Sequence, residues 1–117
     1  MKRDEPSVLK EADGLINGDR NSDYGHPLDD FTVAMDILNA LGFRRQQGHG
    51  GPFRPLVAED QPIIMQAVKL SREYNKPKRD NRVDGAGYWG TLQMVEDERA
   101  RREAVPVDFA DEDHRAA

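Results

Sequence analysis

The chain of 117 residues is 37% hydrophobic and 33% charged with a formal net charge of −5, which makes one domain with a lean core and a heavily solvated surface. The acidic balance excludes a general duplex-binding protein, although local basic clusters can still hold one small phosphate compound. With no cysteine there is no disulfide, thiolate nucleophile or Cys-ligated zinc, and no run reaches the roughly 20 apolar residues of a membrane span.

Ser7 caps a first helix over residues 7–17, where Val8, Leu9, Ala12, Leu15 and Ile16 recur at helical spacing and Gly18 ends the run. The polar stretch that follows leads into Asp23-Tyr24-Gly25-His26-Pro27, which reads as a fixed, exposed loop. Pro27 opens a second helix. Asp29 and Asp30 complement its N-terminal dipole, and Phe31, Ala34, Met35, Leu38 and Leu41 form its apolar stripe.

Residues 43–58 are Gly-rich, basic and aperiodic, and read as a mobile connector. Glu59 and Asp60 precede Pro62, which opens a third helix with Ile63, Ile64, Ala67, Val68 and Leu70 as core candidates, halted by Asn75-Lys76-Pro77. Asn81 caps a fourth helix over residues 82–103, with Val83, Ala86, Leu92, Met94 and Val95 facing inward. Its later half, Glu96 to Glu103, is nearly all charge and reads as a solvated face or a partner surface. The expected fold is all-α: a small four-helix bundle over residues 1–103, followed by a disordered acidic tail over 104–117.

The sharpest constellation joins the third and fourth helices. Lys69 and Arg72 share one helix face, Asp80 and Asp84 share another, and Tyr88 continues that line. A tight connection folds the two helices together, so two cations meet two carboxylates. Such a set can hold a phosphate chain, with a hydrated Mg²⁺ on Asp80 and Asp84 bridging its oxygens or activating water. Taken alone, the four charges are more simply ion pairs across a helical hairpin.

Gly85-x-Gly87-x-x-Gly90 spells a dinucleotide fingerprint but has no strand before it, so its small residues serve close helix packing instead. The segment from Arg20 to Pro27 offers a cation, the Asp23 carboxylate, the Tyr24 ring and the His26 imidazole, either as a ligand-binding loop or as a rigid turn. Arg44, Arg45 and Arg54 belong either to a linker or to a lid over an anion, and Trp89 reads as a core or interface anchor. His49 and His114 fit no metal spacing.

The order Ile16-Asn17-Gly18-Asp19-Arg20, Asp23-Tyr24-Gly25-His26-Pro27, Lys69-Leu70-Ser71-Arg72, then Asp80, Asp84 and Gly87-Tyr88 resembles a phage-encoded family of unknown function. That family has an N-G-x-R…D-Y-G-x-P opening and a later K-L-x-R…D…D-x-x-G-Y block, and the match covers most of residues 8–95. The arrangement is also similar to phage nucleotide-modification-associated domains and, in layout, to the all-α MazG-type nucleoside triphosphate pyrophosphohydrolases. Those enzymes hold Mg²⁺ between an E-x-x-E and an E-x-x-D pair. This chain departs from them, having only Asp80 and Asp84 suitably placed, with Glu59 and Asp60 as the nearest second pair.

With neither an apolar signal region nor a membrane span in the sequence, a cytoplasmic location is expected. The resemblance implies a phage-type protein that binds a nucleotide or similar phosphorylated ligand through Arg20, Asp23, Tyr24, Gly25, His26, Lys69, Arg72 and Tyr88. Asp80 and Asp84 would hold metal or sugar hydroxyls and, in a catalytic version, Mg²⁺ for pyrophosphohydrolysis. The competing expectations are non-enzymatic sequestration of a nucleotide signal and an interaction protein that docks on a host factor. A homo-oligomer is expected, because a second copy covers apolar area that so small a domain leaves open.

Overall fold

The computed structural model describes residues 5–104, apart from the side chains of Asp19, Arg20 and Ser22; the acidic tail expected beyond residue 104 lies outside the described residues. Helix α1 (Val8–Asn17) starts where Ser7 leaves the extended region, its hydroxyl accepting from the Lys10 amide at 3.1 Å. A six-residue helix α2 (Asp19–Tyr24) follows at once, and Gly25 ends it at φ +78°, a left-handed geometry that favours glycine. This corrects the loop expected there. The segment is a short polar helix, and a helix without an apolar stripe leaves no periodic signal.

Helix α3 (Pro27–Ala40) begins with Pro27 as expected, and its cap is the imidazole of His26, whose Nδ1 accepts from the Leu28 amide at 3.0 Å. Helix α4 (Asp60–Asn75) and helix α5 (Arg79–Ala104) follow, each starting two or three residues earlier than the sequence indicates. Asn81, expected as a cap, is buried inside the first turn of α5 with its amide on Glu73 Oε1 at 3.2 Å. Helix α5 is the central element, packing against α1, α3 and α4.

The small residues of α5 make that packing possible. A Cβ at Gly90 would lie 2.5 Å from Ile16 Cδ1, and one at Gly87 would lie 3.4 Å from Ile16 Cγ2, so α1 sits against nearly bare backbone. On the other side, Gln66 of α4 donates to the carbonyl of Gly85 at 2.6 Å. Close helix approach is therefore what these glycines serve.

Residues 43–58 are more ordered than a free connector. Strands β1 (Arg45–Gln46) and β2 (Phe53–Arg54) pair antiparallel, with Arg45 opposite Arg54. Two like charges across a strand pair repel, and Asp60 resolves the conflict. Its carboxylate, 1% exposed, accepts from Arg45, from Arg54 at 2.9 and 3.0 Å, and from the Val57 amide at 2.8 Å. Asn39 of α3 bonds both the amide and the carbonyl of Leu56, at 2.8 and 2.9 Å. Leu56 and Ala58 consequently enter the core, where Ala58 joins Leu28, Phe31 and Val95. Arg45 and Arg54, read as part of a linker or of a lid, form this clasp, and Arg44 bonds the carbonyls of Asn39 and Phe43.

The far half of α5 is tied down at two points. Arg99 holds Glu59 at 2.6 and 2.8 Å, and Arg102 holds Asp29, in the first turn of α3, at 2.8 and 2.9 Å. The Arg99 hydrogen bonds keep the Glu59 carboxyl below its ordinary range despite partial burial. The expected inward stripe of α4 is where sequence and structure part. Only Asp60 and Pro62 of this helix are buried, and Ile63, Ile64, Ala67 and Leu70 face outward.

Candidate functional site

Three residues, Lys76 to Lys78, separate α4 from α5, and the side-chain links between the helices run in opposite sequence directions: Gln66 to Gly85, Lys69 to Asp84, Glu73 to Asn81. The pair is therefore antiparallel. Glu73 fastens the turn, accepting from the Lys78 amide at 3.0 Å and from Arg82 at 2.7 Å; these bonds hold its carboxyl below the ordinary range.

The closure brings the expected basic and acidic faces together. Lys69, Arg72, Asp80 and Asp84 line one polar cavity of about 450 Å³ at the turn, joined by Asn75, Lys76, Lys78 and Asn81. Within it Lys69 Nζ lies 2.8 Å from Asp84 Oδ2, with the lysine side chain 12% exposed and the aspartate 40%. Arg72 makes no ion pair among the described residues, so the cavity keeps uncompensated positive charge from Arg72, Lys76 and Lys78 against Asp80.

A second cavity of about 410 Å³ lies between α1, α2, α3 and α5. Its walls are largely apolar, made by Ala12, Leu15, Ile16, Phe31, Val83 and Gly87, with Tyr24 and Tyr88 as aromatic surfaces and Asp23 and Thr91 as polar groups. Thr91 is buried and its hydroxyl donates to the Tyr88 carbonyl at 3.0 Å. Asp84 lines this cavity as well as the polar one. The two hollows thus share a carboxylate.

Of the residues singled out from sequence, Lys69, Arg72, Asp80 and Asp84 meet in one cavity, and Asp23, Tyr24, Asp84 and Tyr88 meet in the other. Gly25 and His26 line neither. Gly25 supplies the bend between α2 and α3, and His26 spends its Nδ1 lone pair on capping α3. The Arg20 side chain lies outside the described residues. Lys76 and Lys78 were not anticipated, although they flank the proline that ends α4, and a basic turn facing an acid pair is a visible signal. The apolar walls could not have been found, because their spacing is that of ordinary core. Among the described residues no three His, Asp or Glu side chains gather into a metal-holding group.

Residues 7–96 match a family described as a domain of unknown function, DUF6378. The chain belongs to that family. It is also similar to two curated phage proteins. The Gene 55 protein of Mycobacterium phage D29 is 34% identical over 94 residues, covering 79% of this chain and 55% of the relative. The Gene 55 protein of Mycobacterium phage L5 is 35% identical over 97 residues, covering 80% and 56%. The chain therefore spans little more than half the length of either relative, and both support a bacteriophage origin. No solved structure matches it. Among the described residues no helix is long and apolar enough to cross a membrane.

Proposed function

We propose that this protein binds a nucleotide or a closely related phosphorylated small molecule across the two adjoining cavities. The observation that carries the reading is the position of Asp84, which borders a cation-lined hollow on one side and an aromatic, apolar hollow on the other. A nucleotide divides its chemistry the same way, with anionic phosphates at one end, a flat base at the other and hydroxyls between. In this reading Lys69 and Arg72, with Lys76 and Lys78, meet the phosphates. Tyr24 and Tyr88 contact the base, and Asp84 accepts from the sugar hydroxyls. The four long helices, with α5 at the centre, make the bundle that frames both hollows.

The reading is binding without turnover. Hydrolysis of the MazG type needs a second acid pair, and the candidates here are engaged elsewhere, Glu59 with Arg99 and Asp60 with Arg45 and Arg54. The donor set does not fit a protein-built magnesium site either. Asp84 is held by Lys69, which leaves Asp80 as the one carboxylate of the pair without an ion partner among the described residues. A protein of this kind holds a nucleotide rather than consuming it.

The test is titration with a panel of nucleoside mono-, di- and triphosphates, with and without Mg²⁺, read by calorimetry and thermal shift. A true ligand at about a hundred times its dissociation constant raises stability by about 2.7 kcal/mol. Arg72→Ala removes a charge-assisted contact of about 1.5–3 kcal/mol and weakens binding at least tenfold, while leaving the fold unchanged because the side chain is exposed. No shift with any nucleotide refutes the reading, and release of pyrophosphate refutes its non-hydrolytic half.

A further inference from the structure

The outward-facing apolar stripe of helix α4 is covered by nothing among the described residues. Ile63 is 37% exposed, Leu70 69% and Tyr74 95%, and Ala67 between them is exposed as well. Their spacing is four, three and four residues. That is the alternation of the inner positions of a coiled-coil seam, which faces another helix. Trp89 of α5, 59% exposed, lines the same shallow groove of about 250 Å³ as Leu70, so the stripe is widened by a large aromatic from the neighbouring helix. Aromatic anchors of this type are enriched at the energetic centre of protein interfaces.

We propose that this face pairs with a second copy of the chain, α4 against α4, antiparallel about a two-fold axis between Ala67 and Leu70. The argument for a second copy is the order of sizes along the stripe. Antiparallel two-fold pairing sets Ile63 opposite Tyr74 and Ala67 opposite Leu70, so each layer joins a larger residue to a smaller one. Parallel pairing sets Tyr74 on Tyr74 and Ala67 on Ala67, which crowds one layer and leaves a void in another. An isologous contact requires this kind of self-complementarity.

The stripe also supplies much of the area a dimer needs. Tyr74 and Trp89, 95% and 59% exposed, are aromatic side chains of the kind that bury roughly 150–250 Å² each. With Ile63, Ala67 and Leu70 they form the apolar centre of a contact whose standard size is about 800 Å² per partner. Glu73, the carboxylate flanking the stripe, is already paired with Arg82 at 2.7 Å and places no bare charge at the contact. Two α4–α5 hairpins joined this way make a four-helix layer in the dimer. The inference is independent of the nucleotide reading.

Sedimentation velocity on the full chain, from micromolar to hundred-micromolar concentration, tests it. The expected result is a dimer of twice the 13.2 kDa chain mass. Leu70→Glu and Trp89→Lys, both exposed and therefore compatible with the native fold by circular dichroism, each weaken self-association by roughly thirtyfold or more. The register is tested separately, since the chain has no cysteine of its own. A mixture of Ala67→Cys and Leu70→Cys proteins forms a mixed disulfide under oxidation, whereas Ala67→Cys alone does not cross-link. A monomeric wild type at all concentrations overturns the proposal, as does self-association that Leu70→Glu leaves unchanged. Efficient cross-linking of Ala67→Cys to itself overturns the antiparallel register. A wild type that stays monomeric while its stripe binds a helix of another protein assigns the face to a different occupant and also overturns the proposal.

Discussion

Replacing Asp60 with asparagine keeps the shape of the side chain and removes its charge, which isolates what the carboxylate does for the β1–β2 hairpin. In the wild type, burial pushes the Asp60 carboxyl up, and hydrogen bonds from Arg54, the Val57 amide and Arg45 more than offset this, leaving it below its ordinary value. Asp60→Asn weakens two guanidinium contacts and leaves Arg45 and Arg54 facing each other across the strand pair. Charge-assisted bonds contribute about 1.5–3 kcal/mol each. Both arginines keep some contact with water, which screens part of the loss, so the net destabilisation is about 3 kcal/mol. For a domain of this size that lowers the melting temperature by roughly 12 °C.

The pH dependence follows from the sign of the shift. A carboxyl depressed on folding contributes stability above its unfolded-state pKa of about 3.9 and loses it as pH falls through the lower folded-state value. The wild-type advantage over Asp60→Asn is therefore full at neutral pH and shrinks in acid. Urea melts of both proteins across pH, together with hydrogen exchange at the Gln47 amide, which bonds the Pro52 carbonyl at 2.9 Å inside the hairpin, measure the global and local effects. If the variant stays within about 0.5 kcal/mol at neutral pH with unchanged Gln47 exchange, or the gap does not narrow in acid, the clasp reasoning is wrong.

His26→Ala removes the cap of α3 and costs about 1 kcal/mol in urea denaturation, while His26→Asn, a better N-cap, retains or raises stability. Gly90→Val sets side-chain atoms where Ile16 already lies and costs about 1–3 kcal/mol, most of which the added substitution Ile16→Ala relieves; a double-mutant cycle measures the coupling.

The helices legible in the sequence are those with an apolar period or a clear breaker. Ser7 caps where expected, Pro27 opens α3, and Asn75-Lys76-Pro77 closes α4, which was enough to bring Lys69, Arg72, Asp80 and Asp84 to one cavity. What escaped has physical reasons. The short helix α2 is polar throughout, and β1 and β2 owe their pairing to a carboxylate at residue 60, which no local pattern in residues 43–58 announces. The stripe on α4 was visible as a stripe, but periodicity reports that a helix has an apolar face and not what covers it. The same period marks core and interface faces alike, and the structure turns this one outward.

Asp84 is the residue on which the two halves of the proposed site depend, and its pairing with Lys69 suits that position. The aspartate is well exposed, and a pair open to solvent on one side contributes little stability, so exchanging its partner costs little. An arriving phosphate competes for the Lys69 ammonium with a stronger, multiply charged acceptor. Once displaced, the carboxylate of the proposed site would stand at the boundary of the aromatic hollow with acceptor capacity to spare, where a sugar hydroxyl of the same ligand can donate to it. Without ligand, the same contact keeps a nearly buried lysine from standing unpaired. In the proposed site, the ion pair that the sequence first suggests and the ligand contact would be two states of one side chain.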